Sequence, residues 1–247
     1  MSKQKRIAVL TGAGMSKESG ISTFRDNDGL WENHRVEDVA TPEAWAQNPS
    51  LVLDFYNERR KFGRGCEPNG GHVALTALEP HFLVDVITQN VDDLHERAGS
   101  PNVLHLHGEL NKVRPENAVN TEGYAALPWN GDLQVGDVDA EGNQLRPHVV
   151  WFGEDVPEIS RAQEIVTLCD VLIVIGTSLS VYPAADLIYY LRQGRTAYII
   201  DPAVEVAEKL KHAAGFPLQN RTLIPYYDHS CNTAENVQRL VAKLIAE

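Results

Sequence analysis

Cysteine is scarce in this chain: Cys66, Cys169 and Cys231 are the three among 247 residues, too dispersed to frame a disulfide-stapled fold. Positive charge is also short. Against 34 Asp and Glu stand 22 Lys and Arg, a net charge of −12 that excludes the basic face a nucleic-acid backbone requires. Long apolar runs are missing too. A stretch such as Val171 to Ile175 falls far below a membrane span, and Ile7 to Leu10 is too short for a signal-peptide core. What remains, 43% apolar and 23% charged residues, describes a globular protein of one large domain or two small ones. The expectation is a cytoplasmic chain with neither nucleic acid nor membrane as partner.

Ile7-Ala8-Val9-Leu10 is an apolar run that ends in Thr11-Gly12-Ala13-Gly14, as a buried parallel strand does when it turns into a phosphate-facing loop. Similar runs follow at Phe82 to Ile87, Val103 to Leu106, Val171 to Ile175 and Ala197 to Ile200. Each leads into polar or glycine-containing residues: Thr88-Gln89-Asn90, His107-Gly108, Gly176-Thr177-Ser178 and Asp201-Pro202. In a parallel α/β sheet those carboxyl ends face one crevice. Leu51, Phe55 and Phe62 mark a helix entered through Asn48-Pro49, and Val237, Leu240, Val241 and Leu244 give the last helix its apolar stripe. The predicted fold is α/β, a Rossmann-like doubly wound parallel sheet formed by residues 1–33, 71–110 and 147–247. Residues 34–70, mainly helical, and 111–146, rich in loop formers, are insertions that build a smaller module over the crevice.

Gly12-Ala13-Gly14-Met15-Ser16-Lys17 follows G-x-G-x-x-G only to its second glycine, with Lys17 in the third place. Glycines let a backbone approach a pyrophosphate, and a helix start beyond them offers N–H groups to its charge; a tight strand–helix turn needs the same residues. The acidic residue that normally closes the second strand is missing. Asp201, after a later strand, is the candidate for ribose hydroxyls, with a helix cap before Ala203 to Leu210 as the other reading.

Four motifs in order carry a further signal: Gly12 to Ile21, Thr23-Phe24-Arg25, Thr88-Gln89-Asn90-Val91-Asp92-Asp93-Leu94-His95 and His105-Leu106-His107-Gly108-Glu109-Leu110. With Gly176-Thr177-Ser178 and Val181-Tyr182-Pro183-Ala184-Ala185, they resemble the sirtuin family of NAD-dependent protein-lysine deacylases over almost the whole chain. The resemblance implies NAD as cofactor, acylated lysine side chains of proteins as partners, and release of nicotinamide and O-acyl-ADP-ribose. It makes His107 the catalytic base, a role suited to an imidazole titrating near neutrality. It puts Gly12, Ala13, Gly14 and Ser16 with Thr23, Phe24 and Arg25 in the cofactor loop. Gln89, Asn90 and Asp92 fall near nicotinamide and its ribose, and Gly176, Thr177 and Ser178 on the adenosine side. Asp92 and Asp93 are also suited merely to charge a helix start. His105, two residues from His107, is expected to pack or hydrogen-bond. Val149, Val150, Trp151, Phe152 and Gly153 match the segment on which peptides lie, with Val150 and Phe152 as tunnel lining; a buried strand would look the same.

Tyr56 and Arg59 are three apart on a predicted helix and therefore neighbours on one face. This pair, with Ala40 upstream, resembles the class III sirtuins, which remove succinyl and malonyl groups. A guanidinium fork and a phenol suit a carboxylate, although a surface Arg beside a core Tyr is common on helices. The chain departs from the family in one respect: it cannot supply the four thiolates of the family's structural zinc. No metal is expected. Tyr124, Leu127, Trp129 and Leu133 are the residues expected to hold the small module together. Competing readings are an NAD glycohydrolase or ADP-ribosyltransferase, a nicotinamide dehydrogenase, and a non-catalytic NAD-sensing module.

Overall fold

The apolar runs become parallel strands in the computed structural model, which describes residues 4–22, 30–31, 34–118, 126–203, 206 and 220–247. In chain order the strands are β1 (Arg6–Thr11), β2 (Leu30–Trp31), β3 (His34–Arg35), β4 (Leu83–Thr88), β5 (Val103–His105), β6 (Gly108–Pro115), β7 (Leu127–Pro128), β8 (Leu145–Val149), β9 (Val171–Ile175), β10 (Thr196–Ile200) and β11 (Thr222–Pro225). The helices are α1 (Val36–Val39), α2 (Pro42–Gln47), α3 (Pro49–Gly65), α4 (Gly70–Thr76), α5 (Leu94–Ala98), α6 (Ile159–Leu168) and α7 (Thr233–Ala246).

Six strands form one parallel sheet in the order β11-β10-β9-β1-β4-β5. The chain begins in the middle, runs outward through β4 and β5, returns beside β1 as β9, and runs outward the other way. That is the doubly wound order, and it opens a crevice beyond the carboxyl ends of β1 and β9. Both faces of the sheet are covered, as parallel pairing demands. Along β1, Ala8 and Leu10 join Leu172, Val174, Ala162 and Val166 of α6 on one side. Ile7 and Val9 join Ile173, Leu75 of α4, and Val237, Leu240, Val241 and Leu244 of α7 on the other. The stripe read from the sequence of α7 is therefore its buried face, and an Asn232–Glu235 capping box starts it. No helix among the described residues is long and apolar enough to cross a membrane.

The small module pairs β6 with β7 and β8, antiparallel, under the helices α1 to α3. Asn48 caps α3 as expected, accepting a hydrogen bond from Leu51 N–H at 3.1 Å. Phe62, however, is 57% exposed: it shares a face with buried Phe55 but lies in the last turn of α3, beyond the buried residues Val52 to Arg60. The module's core also differs from the expectation. Leu133 is buried and Trp129 packs beside it, but Leu127 is 49% exposed and Tyr124 lies outside the described residues. Leu53, Val113 and Leu145 complete that cluster, so the apolar contacts come chiefly from α3, β6 and β8. Polar ties reinforce them: the Asn57 amide donates to Leu133 O and accepts from Leu133 N–H, both at 2.9 Å.

Two local expectations fail. Beyond Gly14 the chain makes two short 3-10 turns, Ala13–Met15 and Lys17–Ser19, instead of starting an α-helix. Gly20, at φ +93°, ends the second turn in a left-handed conformation that the helix could not continue through. Gly108 does not end a strand. β5 stops at His105, and Gly108 opens β6 at φ +82°, where a Cβ would sit 2.1 Å from His148 O.

Candidate active site

At the switch point the backbones at the carboxyl ends of β1 and β9 nearly touch. Gly12 N–H donates to Ile175 O at 3.0 Å and Gly14 N–H to Gly176 O at 2.9 Å. A Cβ on Gly14 would lie 2.7 Å from Gly176 Cα, so the approach requires glycine on both sides. Beyond it opens a cavity of about 870 Å³, lined by the loops after β1, β4, β9 and β10 and, on the far wall, by α3 and the segment after β8. Every described candidate residue lines it: Gly12, Ala13, Gly14, Ser16, Ala40, Tyr56, Arg59, Gln89, Asn90, Asp92, His107, Val149 to Gly153, Gly176 to Ser178 and Asp201. Thr23, Phe24 and Arg25 lie outside the described residues.

The polar groups on the near wall are joined. Asn90 Nδ2 donates to Gly12 O at 3.1 Å and to Ser16 Oγ at 3.0 Å, and Ser16 Oγ donates to Asp92 at 2.9 Å. Burial raises the Asp92 carboxyl above its usual range, opposed by hydrogen bonds from Leu94 N–H and from Ser16. The Leu94 bond, at 3.2 Å, lies at the start of α5, so the residue serves that helix and faces the cavity together. Gln89 reaches across to Thr177 Oγ1 at 3.0 Å and ties the two loops. Asp201 shows the same duality: it lines the cavity while accepting Ala203 N–H at 2.8 Å.

The two histidines separate cleanly. His105 meets acceptors on both ring nitrogens, Asn90 O at 3.0 Å and a Glu96 carboxylate oxygen at 2.7 Å. Burial pushes its pKa down, but the Glu96 carboxylate outweighs that and leaves it raised. Among the described residues His107 touches one acceptor, Gln89 O at 3.0 Å from Nδ1. That carbonyl fixes the proton on Nδ1 and leaves Nε2 as a lone pair; burial lowers the ring's pKa, so the lone pair is present at neutral pH. The Glu96 contact thus favours the protonated ring of His105, whereas burial favours the neutral ring of His107.

The far wall holds Tyr56, fully buried, whose Oη accepts Trp151 Nε1–H at 3.1 Å. Burial pushes the phenol up to about 12, so it stays protonated. Arg59, half-buried, places its guanidinium 5.7 Å from the Phe55 ring centroid and within electrostatic reach of Tyr56. The segment after β8 crosses the cavity: Val150 N–H donates to His107 O at 2.9 Å and Phe152 N–H to Ala40 O at 3.0 Å. Trp151 N–H goes to Glu154 at 2.8 Å. These three N–H groups are taken within the protein, and so are two carbonyls of the segment, Val149 O by Arg146 at 3.0 Å and Trp151 O by Glu154 N–H at 3.1 Å. Val150 is half-buried, and Phe152, 45% exposed, stands at the rim.

Three participants were missed in the sequence. Glu154 receives both Arg146, at 2.6 and 3.0 Å, and Arg114, at 3.3 Å. Arg60, buried beside Arg59, bonds Leu110 O at 2.9 Å and Asn57 at 2.8 Å. His95 holds Thr11 at 3.1 Å, which in turn bonds Thr88 at 2.8 Å behind the Asn90 loop. Arg60 adjoins Arg59 and Glu154 directly follows Gly153, so those two had a visible signal. Among the described residues no group of three or more His, Cys, Asp or Glu is arranged to hold a metal.

With this geometry in view, comparison with known proteins is specific. An "NAD-dependent protein deacylase" of Bacteroides thetaiotaomicron is 53% identical over 200 residues, 80% of this chain and 86% of that protein. One of Helicobacter pylori, of the same description, is 51% identical over 203 residues, covering 82% and 87%. A solved Sir2 homolog–NAD complex superposes with TM-score 0.78 at 37% identity, covering 99% of this chain and 91% of that one. The model of the Sir2 family matches residues 12–183, from the first glycine of the loop to the proline after Tyr182. The glycine contact, the paired histidines and the crossing segment all fall within that match, and the chain belongs to the Sir2 family.

Proposed function

We propose that the chain is an NAD-dependent protein-lysine deacylase that removes acidic acyl groups, succinyl or malonyl, in preference to acetyl. The observation that carries the acyl choice is Tyr56 and Arg59, one face of α3, on the wall of the cavity that also holds His107. An acidic acyl group ends in a carboxylate, which the guanidinium fork and the neutral phenol both satisfy as donors. An acetyl group ends in a methyl and offers the phenol no such acceptor.

The donor set fits NAD. Ser16, Asn90 and Asp92 offer both donors and acceptors to a carboxamide, Gln89 and Asp201 face ribose hydroxyls, and Gly12, Ala13, Gly14 and Gly176 to Ser178 form the narrow floor. Bound NAD supplies an electrophilic sugar carbon and nicotinamide as leaving group. His107 accepts a hydroxyl proton at Nε2, with Gln89 O holding the ring in the required tautomer. Val149 to Gly153 carry the peptide, and Ala40 leaves room for the acyl chain. The small module, residues 34–70 and 111–146 with β6 and β8 as its joints, stands without zinc on its apolar cluster and the Glu154 ion pairs.

The test is a panel of otherwise identical acetyl-, malonyl- and succinyl-lysine peptides incubated with NAD and followed by mass spectrometry. Higher kcat/KM on the acidic peptides, with O-acyl-ADP-ribose formed, is the expected result. An acetyl preference overturns the acyl assignment. Nicotinamide release that does not depend on peptide overturns the deacylase.

A further inference from the structure

Tyr56 raises a question that the pair with Arg59 does not answer. A phenol both donates and accepts, so its presence in the wall does not by itself favour an acyl group ending in an acceptor. The hydrogen bond from Trp151 removes the ambiguity. An indole N–H can only donate, so at 3.1 Å from Nε1 the Tyr56 oxygen is committed as acceptor. Among the described residues, no protein acceptor takes the phenol hydrogen, and the side chain lines the cavity.

We propose that Trp151 is a positioning residue for acyl selection: it occupies the Tyr56 oxygen and directs the phenol hydrogen into the cavity, so that the site selects acyl chains with a terminal acceptor. This inference rests on the acidic-acyl reading above and adds the group that sets the polarity of its phenol.

Trp151 is held for this purpose from three sides. Its ring lies face-on to the Arg146 guanidinium, with Cζ 3.2 Å from the ring centroid. Arg146 is fixed by Glu154 at 2.6 and 3.0 Å and by Val149 O at 3.0 Å, and Glu154 also accepts Trp151 N–H at 2.8 Å. The Trp45 ring packs at 5.7 Å between centroids. With 2% of its surface exposed, the indole has no room to swing its N–H away from Tyr56. The path Glu154–Arg146–Trp151–Tyr56 thus runs from the buried ion pairs of the small module to a hydroxyl at the acyl pocket.

Trp151→Phe keeps a ring on Arg146 and deletes the N–H. The measured quantity is the ratio of kcat/KM on succinyl-lysine to that on acetyl-lysine peptide, with KM and kcat resolved. Loss of one oriented hydrogen bond should lower the ratio about tenfold, mainly through the succinyl KM. Tyr56→Phe should lower it to a similar degree, and the double variant no further, since the two side chains act as one unit. A ratio that Trp151→Phe leaves unchanged while both activities fall assigns Trp151 to packing and overturns the proposal, as do additive effects in the double variant. An acetyl preference in the unmodified protein is a separate outcome, which removes the acidic-acyl reading before any variant is compared. If Trp151→Phe does not fold, the indole N–H resonance of Trp151 in Tyr56→Phe serves instead. It should move upfield as its acceptor disappears, and an unmoved resonance overturns the proposal.

Discussion

Replacing Glu154 by Gln isolates the charge at the centre of the small module. Glu154 is 15% exposed, and the side chains of its partners Arg146 and Arg114 are 6% and 3% exposed. The glutamine keeps the shape and one acceptor oxygen for Trp151 N–H, but removes the anion that the two guanidiniums share. Taking one partner from a buried ion pair costs about 3–5 kcal/mol, because the remaining charge stays desolvated. Partial exposure and the retained hydrogen bond favour the lower end, about 3 kcal/mol. For a chain of this length each kcal/mol lowers Tm by about 2–4 °C, so a loss of about 6–12 °C is expected at pH 7. The pH dependence adds a signed check. Burial alone would raise the Glu154 carboxyl, but the Arg146 hydrogen bonds and charge hold it below its ordinary value. Its stabilisation is therefore complete above the unfolded carboxylate range and lost as pH falls through the lowered folded value. The gap between the two proteins should close in acid. Thermal melts followed by circular dichroism at several pH values measure both effects. A variant that melts within 2 °C of the unmodified protein at pH 7, by the scale just used, refutes the reasoning.

The lowered pKa of His107 places the acid limb of kcat/KM below pH 6.5, with activity lost as pH falls through the shifted value and Nε2 becomes protonated. A pH–rate profile whose acid limb sits above 7 would assign the limb to another group. Asn57→Ala removes both reciprocal bonds to Leu133 and strands a buried N–H and carbonyl, at about 1–3 kcal/mol in urea unfolding. An unchanged unfolding midpoint would show that the loop is held elsewhere. Prolonged chelation should leave Tm and activity unaltered, and a fall in either, restored by zinc, would contradict the metal-free module.

The parts of this protein that were legible in its sequence are those set by short-range pattern. A short apolar run followed by glycine yields β1 and its loop, an i, i+3, i+4, i+7 stripe yields α7, and Asn48-Pro49 starts α3. Motif order carried the candidate residues, and the fold brings the described ones to one cavity. Long-range pairings left no local trace. Arg114 and Glu154 are 40 residues apart and meet only because β6 and β8 pair. The missing helix after Gly14 has the same origin, since contact with Gly176, far along the chain, decides the path there. Leu127 was misplaced because an apolar residue in a short antiparallel strand faces either side, and composition does not say which.

The contrast between His105 and His107 shows how far residue identity is from function. Both belong to one short motif, both are largely buried, and both bond a backbone carbonyl of the loop after β4. What separates them is the second ring nitrogen. For His105 it meets Glu96, from the helix α5 that follows that loop, and the pair favours the protonated ring. For His107 no carboxylate among the described residues stands opposite, so burial governs and favours the neutral ring. A carboxylate placed against His107 would raise its pKa and favour the protonated ring. The distinction thus depends on α5 starting at Leu94, a start fixed partly by Asp92 accepting its first N–H. Asp92 also faces the cavity, so the group that sets this helix takes part in the same site whose base the helix leaves neutral.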